Sequence, residues 1–279
     1  MGCNVAGRKR VQHETIDSSL PHNPPLPVEI SLSPAQASAY QQLQTLYDEE
    51  KAYIPKKVEP YYRFVLNRTQ TAVTEVVIKV ANLELQGMQY LCKILPFYGG
   101  IGELRLWKVT IDVQCAAALA CQLPYLANLQ KLALEDDSLG DEAVLALCSG
   151  LTELTVLREL SLSCNRISSM GCKHLSRVMP SLTFLECLNL DYNELESKGC
   201  KDLCSELLSF HPLQTLSLEA NSIEGTAAEA LAKLGQLNPP LCRVNLKGNR
   251  LEEEQVRVLE EAFPKGKVEL GLQIVTIMK

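Results

Sequence analysis

The run Leu157-Arg158-Glu159-Leu160-Ser161-Leu162-Ser163-Cys164-Asn165-Arg166-Ile167 reads LxxLxLxxNxI, and the same frame starts again 28 residues later at Leu185, then at Leu213 and Leu241. A fixed period constrains a fold more than any local propensity does, because each unit must pack on a copy of itself. Counting backwards by the same interval meets Leu129, Ile101 and Val73. Seven starts therefore fall at 73, 101, 129, 157, 185, 213 and 241 without insertion. The next start is Glu269, with Leu272 and Ile274 in frame, so residues 266–279 are predicted to form a closing strand.

The second half of each unit is as regular. Eighteen residues after every start stands a leucine: Leu91, Leu119, Leu147, Leu175, Leu203, Leu231 and Leu259. Four residues before it lies a small residue in six units: Gly87, Cys115, Ala143, Gly171, Gly199 and Ala227, with Gln255 the exception. Four residues after it lies a large one in six: Leu95, Leu123, Leu151, Met179, Leu207 and Phe263, with Gly235 the exception. A spacing of four is one helical face. The small residue is expected to let the helix approach the strand layer. Asp141, Ser169 and Ser197 stand where the helix N-caps are expected.

Each unit is thus a strand, a turn and a helix. A helix is about 10 Å wide and a strand about 4.8 Å, so a stack of such units must curve with its strands inside. The predicted fold class is α/β: a right-handed solenoid in a horseshoe arc, its parallel sheet on the concave face and its helices on the convex face. Seven 28-residue repeats occupy 73–265. Asparagine at the ninth position can hydrogen-bond backbone groups in the turn that no sheet ladder reaches. Asn165, Asn193, Asn221 and Asn249 fill that role, and Asp137 can substitute. Ala81 and Val109 stand there in the first two repeats, whose turns are expected to be looser.

Residues 73–279 resemble a leucine-rich repeat protein of the ribonuclease-inhibitor-like class, with repeats of the kind seen in the Ran GTPase-activating protein and NOD-type receptors. The resemblance specifies the fold. It leaves function to the exposed positions, which the motif does not constrain.

Ahead of the repeats, residues 1–32 carry Pro21, Pro24, Pro25 and Pro27 among polar residues and are expected to be an unpacked tail. The tail opens Met1-Gly2-Cys3 with Arg8-Lys9-Arg10 behind. Myristate on Gly2, palmitate on Cys3 and the basic trio would together suffice for stable membrane anchoring. Ala6 departs from the acylation pattern, and an ordinary unpacked start is the competing explanation. Residues 33–72 are expected to be a helical cap over the first repeat. Ser33-Pro34 starts a helix to about Lys51, with Tyr40, Leu43, Leu46 and Tyr47 on one face; Pro55 and Pro60 interrupt; Tyr61 to Leu66 form a second apolar segment.

A net charge of −6 argues against nucleic acid as the main ligand. No run approaches the roughly 18 apolar residues of a membrane span, and the N-terminus has no apolar signal segment. A cytoplasmic location is expected, with membrane association or a cilium left open. The eleven cysteines are then expected to be reduced and buried, and Asn67-Arg68-Thr69 to be an unused glycosylation acceptor.

No catalytic constellation emerges around His13, His22, His174 or His211, and no GxSxG, HExxH or P-loop is present. Cys172, His174, Cys200 and Cys204 imitate a metal site but lack structural zinc spacing, so packing is the expected role. No catalytic residue, metal or cofactor is predicted. The informative residues are the outward ones on the strands and turns. The candidate binding set is Arg105, Trp107, Lys131, Glu135, Asp136, Glu159, Asp191, Tyr192, Glu219, Arg243 and Lys247, acidic in repeats three to six and basic in the last. The expected function is a non-enzymatic interaction module that takes a protein partner with a basic surface, in a salt-sensitive way. Three alternatives stay open: a GTPase-activating protein like the Ran activator, although the chain lacks that family's long acidic tail; an adaptor tethered through Gly2 and Cys3; and a structural part of a large assembly such as a ciliary axoneme or a ubiquitin ligase.

Overall fold

Alternate residues of each LxL segment point to opposite sides of a strand. In the computed structural model, which describes residues 34–66, 75–97, 100–208, 212–263 and 268–270, the inward set is buried throughout. The strands are β1 (Glu75–Lys79), β2 (Glu103–Trp107), β3 (Lys131–Glu135), β4 (Glu159–Ser161), β5 (Cys187–Asn189), β6 (Thr215–Ser217), β7 (Arg243–Asn245) and β8 (Val268–Glu269). They form one parallel eight-stranded sheet in chain order. Leu104, Leu132, Leu160, Leu188, Leu216 and Val244 sit side by side along it, each 28 residues from the last.

The register breaks once. Val244 pairs with Val268, 24 residues on, so the closing strand lies four residues ahead of the expected frame. The helix before it ends at Ala262, leaving only residues 263–267 as a connection. Leu272 and Ile274, expected in that strand, lie outside the described residues, as do Val73, Gly2, Cys3 and the rest of the tail, Ser33, Asn67 to Thr69, His13, His22 and His211.

The helices are α1 (Pro34–Glu50), α2 (Glu59–Leu66), α3 (Glu84–Ile94), α4 (Val113–Ala120), α5 (Gly140–Leu151), α6 (Ser169–Ser176), α7 (Glu196–Leu207), α8 (Ala228–Leu237) and α9 (Glu253–Ala262). From α3 onward each packs against the next. The small-residue column is buried, but it faces a different neighbour than expected. A Cβ on Gly199 would lie 3.0 Å from Ser169 Cα, and one on Gly171 would meet the Asp141 carboxylate. At Gly171 and Gly199 the small residue lets the helix approach the preceding repeat. The exception Gly235 is explained by its neighbour: the Phe263 ring lies within 2.6 Å of where its Cβ would stand.

The caps also move. Helix α6 is capped by Ser168, whose hydroxyl accepts from Met170 N–H, and α4 by Asp112, which accepts from Cys115 N–H. Ser169 lies one residue past its N-cap, and Asp141 and Ser197 two past Leu139 and Leu195, all inside their helices. Asp141 instead accepts from Ser168 N–H and Oγ–H of the next repeat, and Ser197 Oγ accepts from Glu224 N–H. These residues bridge repeats. Pro60 is likewise no interruption, since it lies in the first turn of α2.

The asparagine ladder is formed at Asn165, Asn193 and Asn249, while Asn221 keeps only its donor half, its Oδ1 being buried without a partner. Asn193 Oδ1 accepts from the N–H groups of Asn165 and Ile167, both at 3.0 Å, while its Nδ2 donates to the carbonyls of Leu162 and Leu190. Each amide therefore serves the turn of the preceding repeat. This corrects the expectation for Val109, which is fully buried with its N–H held by Asp137 Oδ1. The missing service falls one repeat earlier, on the turn carrying Val80 and Ala81, whose N–H groups go to the carbonyls of Trp107 and Lys108.

Tyrosines join the first two helices to the repeats. Buried Tyr62 donates to the Tyr90 carbonyl at 2.8 Å. Tyr61 Oη donates to the Val77 carbonyl at 2.6 Å and accepts the Val77 N–H at 3.2 Å, so one hydroxyl covers a stretch of the open edge of β1. Among the described residues, no helix is long and apolar enough to cross a membrane.

Candidate functional site

The outward positions of the strands form one face, and register sets who meets whom. Columns three, five and seven run Glu103–Lys131–Glu159–Cys187–Thr215–Arg243, Arg105–Ala133–Ser161–Asn189–Ser217–Asn245, and Trp107–Glu135 continuing to Asp191 and Glu219. Ala133, outward by spacing, is buried at 1% exposure, between Arg105 and Ser161 in register.

At the N-terminal end the charges pair off. Glu103 meets Arg105 at 2.7 Å and Lys131 at 3.8 Å; Lys131 also meets Glu159 at 3.0 Å; Lys108 meets Asp136 at 3.3 Å. Such exposed pairs add about 0–1 kcal/mol each to stability, but they cancel the local field. Trp107, expected to be exposed, is half-buried, with the Lys108 ammonium 5.0 Å from its ring centre. At the far end Lys247 is paired with Glu269, which holds the lysine pKa up and the Glu269 pKa down, and Arg243 stays exposed.

Between these ends lie three carboxylates served only by neutral donors. Glu135 accepts from Ser161 Oγ–H at 2.6 Å. Asp191 accepts from Glu219 N–H at 2.7 Å, and burial raises its carboxyl against the pull of Ser217 and that N–H. Glu219 accepts from Tyr192 Oη–H at 2.6 Å and Asn245 Nδ2–H at 3.0 Å, and the first of these bonds raises the Tyr192 phenol. Among the described residues none of the three carboxylates is in an ion pair. Cys164 lies among them: burial raises its thiol, as do Asp136, Glu135 and Asp191, against Lys108. Lys108, Ser161 and Asn245 stand outward by spacing, but spacing gives no sign of these partnerships.

The eighth residue of each turn is left-handed: Lys108, Asp136, Cys164, Tyr192, Ala220 and Gly248 have φ between 53° and 70°. That conformation lifts Tyr192 to 55% exposure beside Glu219. The cysteines are less uniform than expected. Cys92, Cys115, Cys172, Cys200 and Cys204 are buried, whereas Cys121, Cys164 and Cys242 are exposed in turns and at element ends. Cys172 Sγ–H donates to the Gly199 carbonyl at 3.3 Å, a packing contact, and His174 is half-exposed on α6. Among the described residues no group of three or more His, Cys, Asp or Glu is placed to hold a metal ion.

Comparison with known proteins fits the repeat geometry. A family model described as leucine-rich repeat matches residues 153–176 and 181–204. None of the curated proteins compared matches the chain. Among solved structures, a chain of the TLR13–ssRNA13 complex is similar at 17% identity and a TM-score of 0.39, over 70% of this chain. The chain spans 29% of the length of that TLR13 chain. With its 28-residue strand–turn–helix units, a parallel register constant from β1 to β7 and its asparagine ladder, the chain is a leucine-rich repeat protein.

Proposed function

We propose that the strand face binds a protein partner through a basic segment, with Glu135, Asp191 and Glu219 as the charged contacts and Tyr192 as the exposed aromatic anchor. Leucine-rich repeat domains generally mediate protein–protein interaction. The observation that carries the proposal is the division of charge. Glu103, Asp136 and Glu159 are matched by Arg105, Lys108 and Lys131, whereas these three carboxylates meet only hydroxyl and N–H donors. An incoming lysine or arginine meets carboxylates that hold no ion-pair partner among the described residues, in front of a backbone that is already fixed. Trp107, Arg105 and Lys131 flank this centre on one side, Arg243 and Lys247 on the other, and the ion pairs at these ends leave the centre as the part of the face that attracts a basic segment.

The test is affinity capture with the full chain, identification of the bound protein, and titration of that partner against Glu135→Lys/Asp191→Lys/Glu219→Lys. Loss of capture, with wild-type binding weakening steeply as salt is raised, supports the assignment. Binding unchanged by the triple reversal removes this face as the site.

A further inference from the structure

The ninth-position column is a ladder of amides that ends on an acid. Asn165, Asn193 and Asn249 each accept the N–H of the ninth residue one repeat earlier, from Asp137, Asn165 and Asn221. Each also gives Nδ2–H to the sixth-position carbonyl of that repeat, at Leu134, Leu162 and Leu218. Asp137 repeats the first half: its Oδ1 accepts the Val109 N–H at 2.7 Å. For the second half, the carbonyl in register is that of Leu106, and a carboxylate has no hydrogen to give it. Asp137 is 0% exposed, and its Oδ2 is buried without a hydrogen-bond partner. By register with the amides, Oδ2 is the atom that would serve that carbonyl, and without a hydrogen it cannot. A proton on Oδ2 converts the pair into a bond.

We propose that Asp137 is a buried proton site: the folded protein holds it as the neutral acid, whose Oδ2–H donates to the Leu106 carbonyl in place of an asparagine amide. The turn that carries Asp137 then tightens or loosens with pH. The charged neighbours agree. From its own turn Glu135 and Asp136 face the group and oppose a third negative charge, while Lys108 of the preceding repeat is committed to Asp136. From the following repeat come the neutral amide of Asn165 and the Cys164 thiol, itself raised by Asp136 and Glu135. Burial first, then the charges of Asp136 and Glu135, push Asp137 up to about 7 against the pull of the Val109 N–H and, more weakly, the Glu135 N–H. The proton site depends on the ladder and not on whether the strand face binds a partner.

The direction of the effect follows. A carboxyl whose folded pKa lies above its unfolded value of about 4 contributes its full stability below that value; the contribution fades as pH rises to about 7 and is gone above it. Carboxyl carbon-13 NMR of the full-length protein, with the Asp137 resonance assigned by its loss in Asp137→Asn, reads the site directly. A titration midpoint near 7 is expected; a midpoint near 4 overturns the proposal. Urea unfolding supplies the second readout. Asp137→Asn carries the hydrogen at every pH, so its unfolding constant relative to wild type should fall by up to about tenfold per pH unit between pH 4 and 7. The variant should then be the more stable protein at pH 8. A gap that does not open with pH, or an Asn variant less stable than wild type at pH 8, overturns the proposal.

Discussion

Asn193→Ala tests whether the amide ladder holds the repeats together. The side chain touches five backbone groups, and their other partners decide the cost. The Leu190 carbonyl also receives Asn221 Nδ2–H, and the Asp191 carbonyl also receives the Cys164 N–H, so both stay satisfied. The N–H groups of Asn165 and Ile167 and the carbonyl of Leu162 lose the partner the amide supplied. At about 1–3 kcal/mol for each buried unsatisfied group, the loss is roughly 3–9 kcal/mol. Asn193 is 5% exposed, so water can reach part of the space and the low end applies, about 4 kcal/mol. That is a large share of a stability on the order of 5–15 kcal/mol. Urea unfolding is to be followed by far-ultraviolet circular dichroism and by fluorescence of Trp107, the only tryptophan, which sits on β2. Loss of coupling between the fourth and fifth repeats should lower both midpoints and separate them, the tryptophan reporting the N-terminal half. A loss below about 1 kcal/mol with coincident transitions would refute the reasoning, because it would mean that the ladder bonds merely replace equivalent bonds to water.

Three further outcomes follow from the same bookkeeping of atoms. Tyr61→Phe leaves the Val77 N–H and carbonyl without their hydroxyl partner and should cost about 1–2 kcal/mol in urea unfolding; no change would mean the edge of β1 is served by water. Gly150→Ala places a Cβ 2.8 Å from Ala120 Cα and closer still to its carbonyl oxygen, so α4 and α5 must part at a cost of about 1–3 kcal/mol, read as a lowered Tm. Gly248→Ala meets only ordinary contacts, the nearest being Ala220 Cβ at 3.4 Å, so its cost comes from φ of +70° alone, about 1 kcal/mol or a Tm drop of roughly 2–4 °C. A Tm drop for Gly248→Ala equal to that of Gly150→Ala would contradict the separation of strain from crowding.

What the sequence made legible is what repeats at a fixed interval. Leu160, Leu188 and Leu216 stand 28 apart and pair in that register, and the amides of Asn165, Asn193 and Asn249 bond alike. The turns into the helices escape this logic. Position twelve is left-handed at Glu84, Gly140 and Glu196, but extended at Asp112, Ser168, Glu224 and Glu252. Glutamate occurs in both classes, so residue type does not select the turn there, and caps predicted from a uniform repeat fall one or two residues late. The left-handed eighth position is hidden for the same reason: Lys108 and Tyr192 do not favour that conformation, and the sheet on one side and the ladder on the other impose it. On the strand face, spacing gives direction but not partnership. It cannot show that Lys131 is taken by Glu103 and Glu159 while Glu135 is left to Ser161.

Ladder and candidate face are linked by two residues of chain. Glu135, Asp191 and Glu219 each stand two positions before a ladder residue: Asp137, Asn193 and Asn221. The backbone that aims each carboxylate is therefore tied to the next turn through a buried side chain, and little conformational freedom remains to be lost when a partner docks. The first repeat is built otherwise. Ala81 and Val109 offer no ladder side chain, and its order comes from Tyr61 on the edge of β1 and Tyr62 on the Tyr90 carbonyl. The charges that cancel one another begin beside it, on Glu103, Arg105 and Lys108 of the second repeat. Rigidity without tyrosine support and charge without cancellation thus coincide only from the third repeat onward, which is the physical reason to place the binding centre there and to treat the N-terminal repeats as its support.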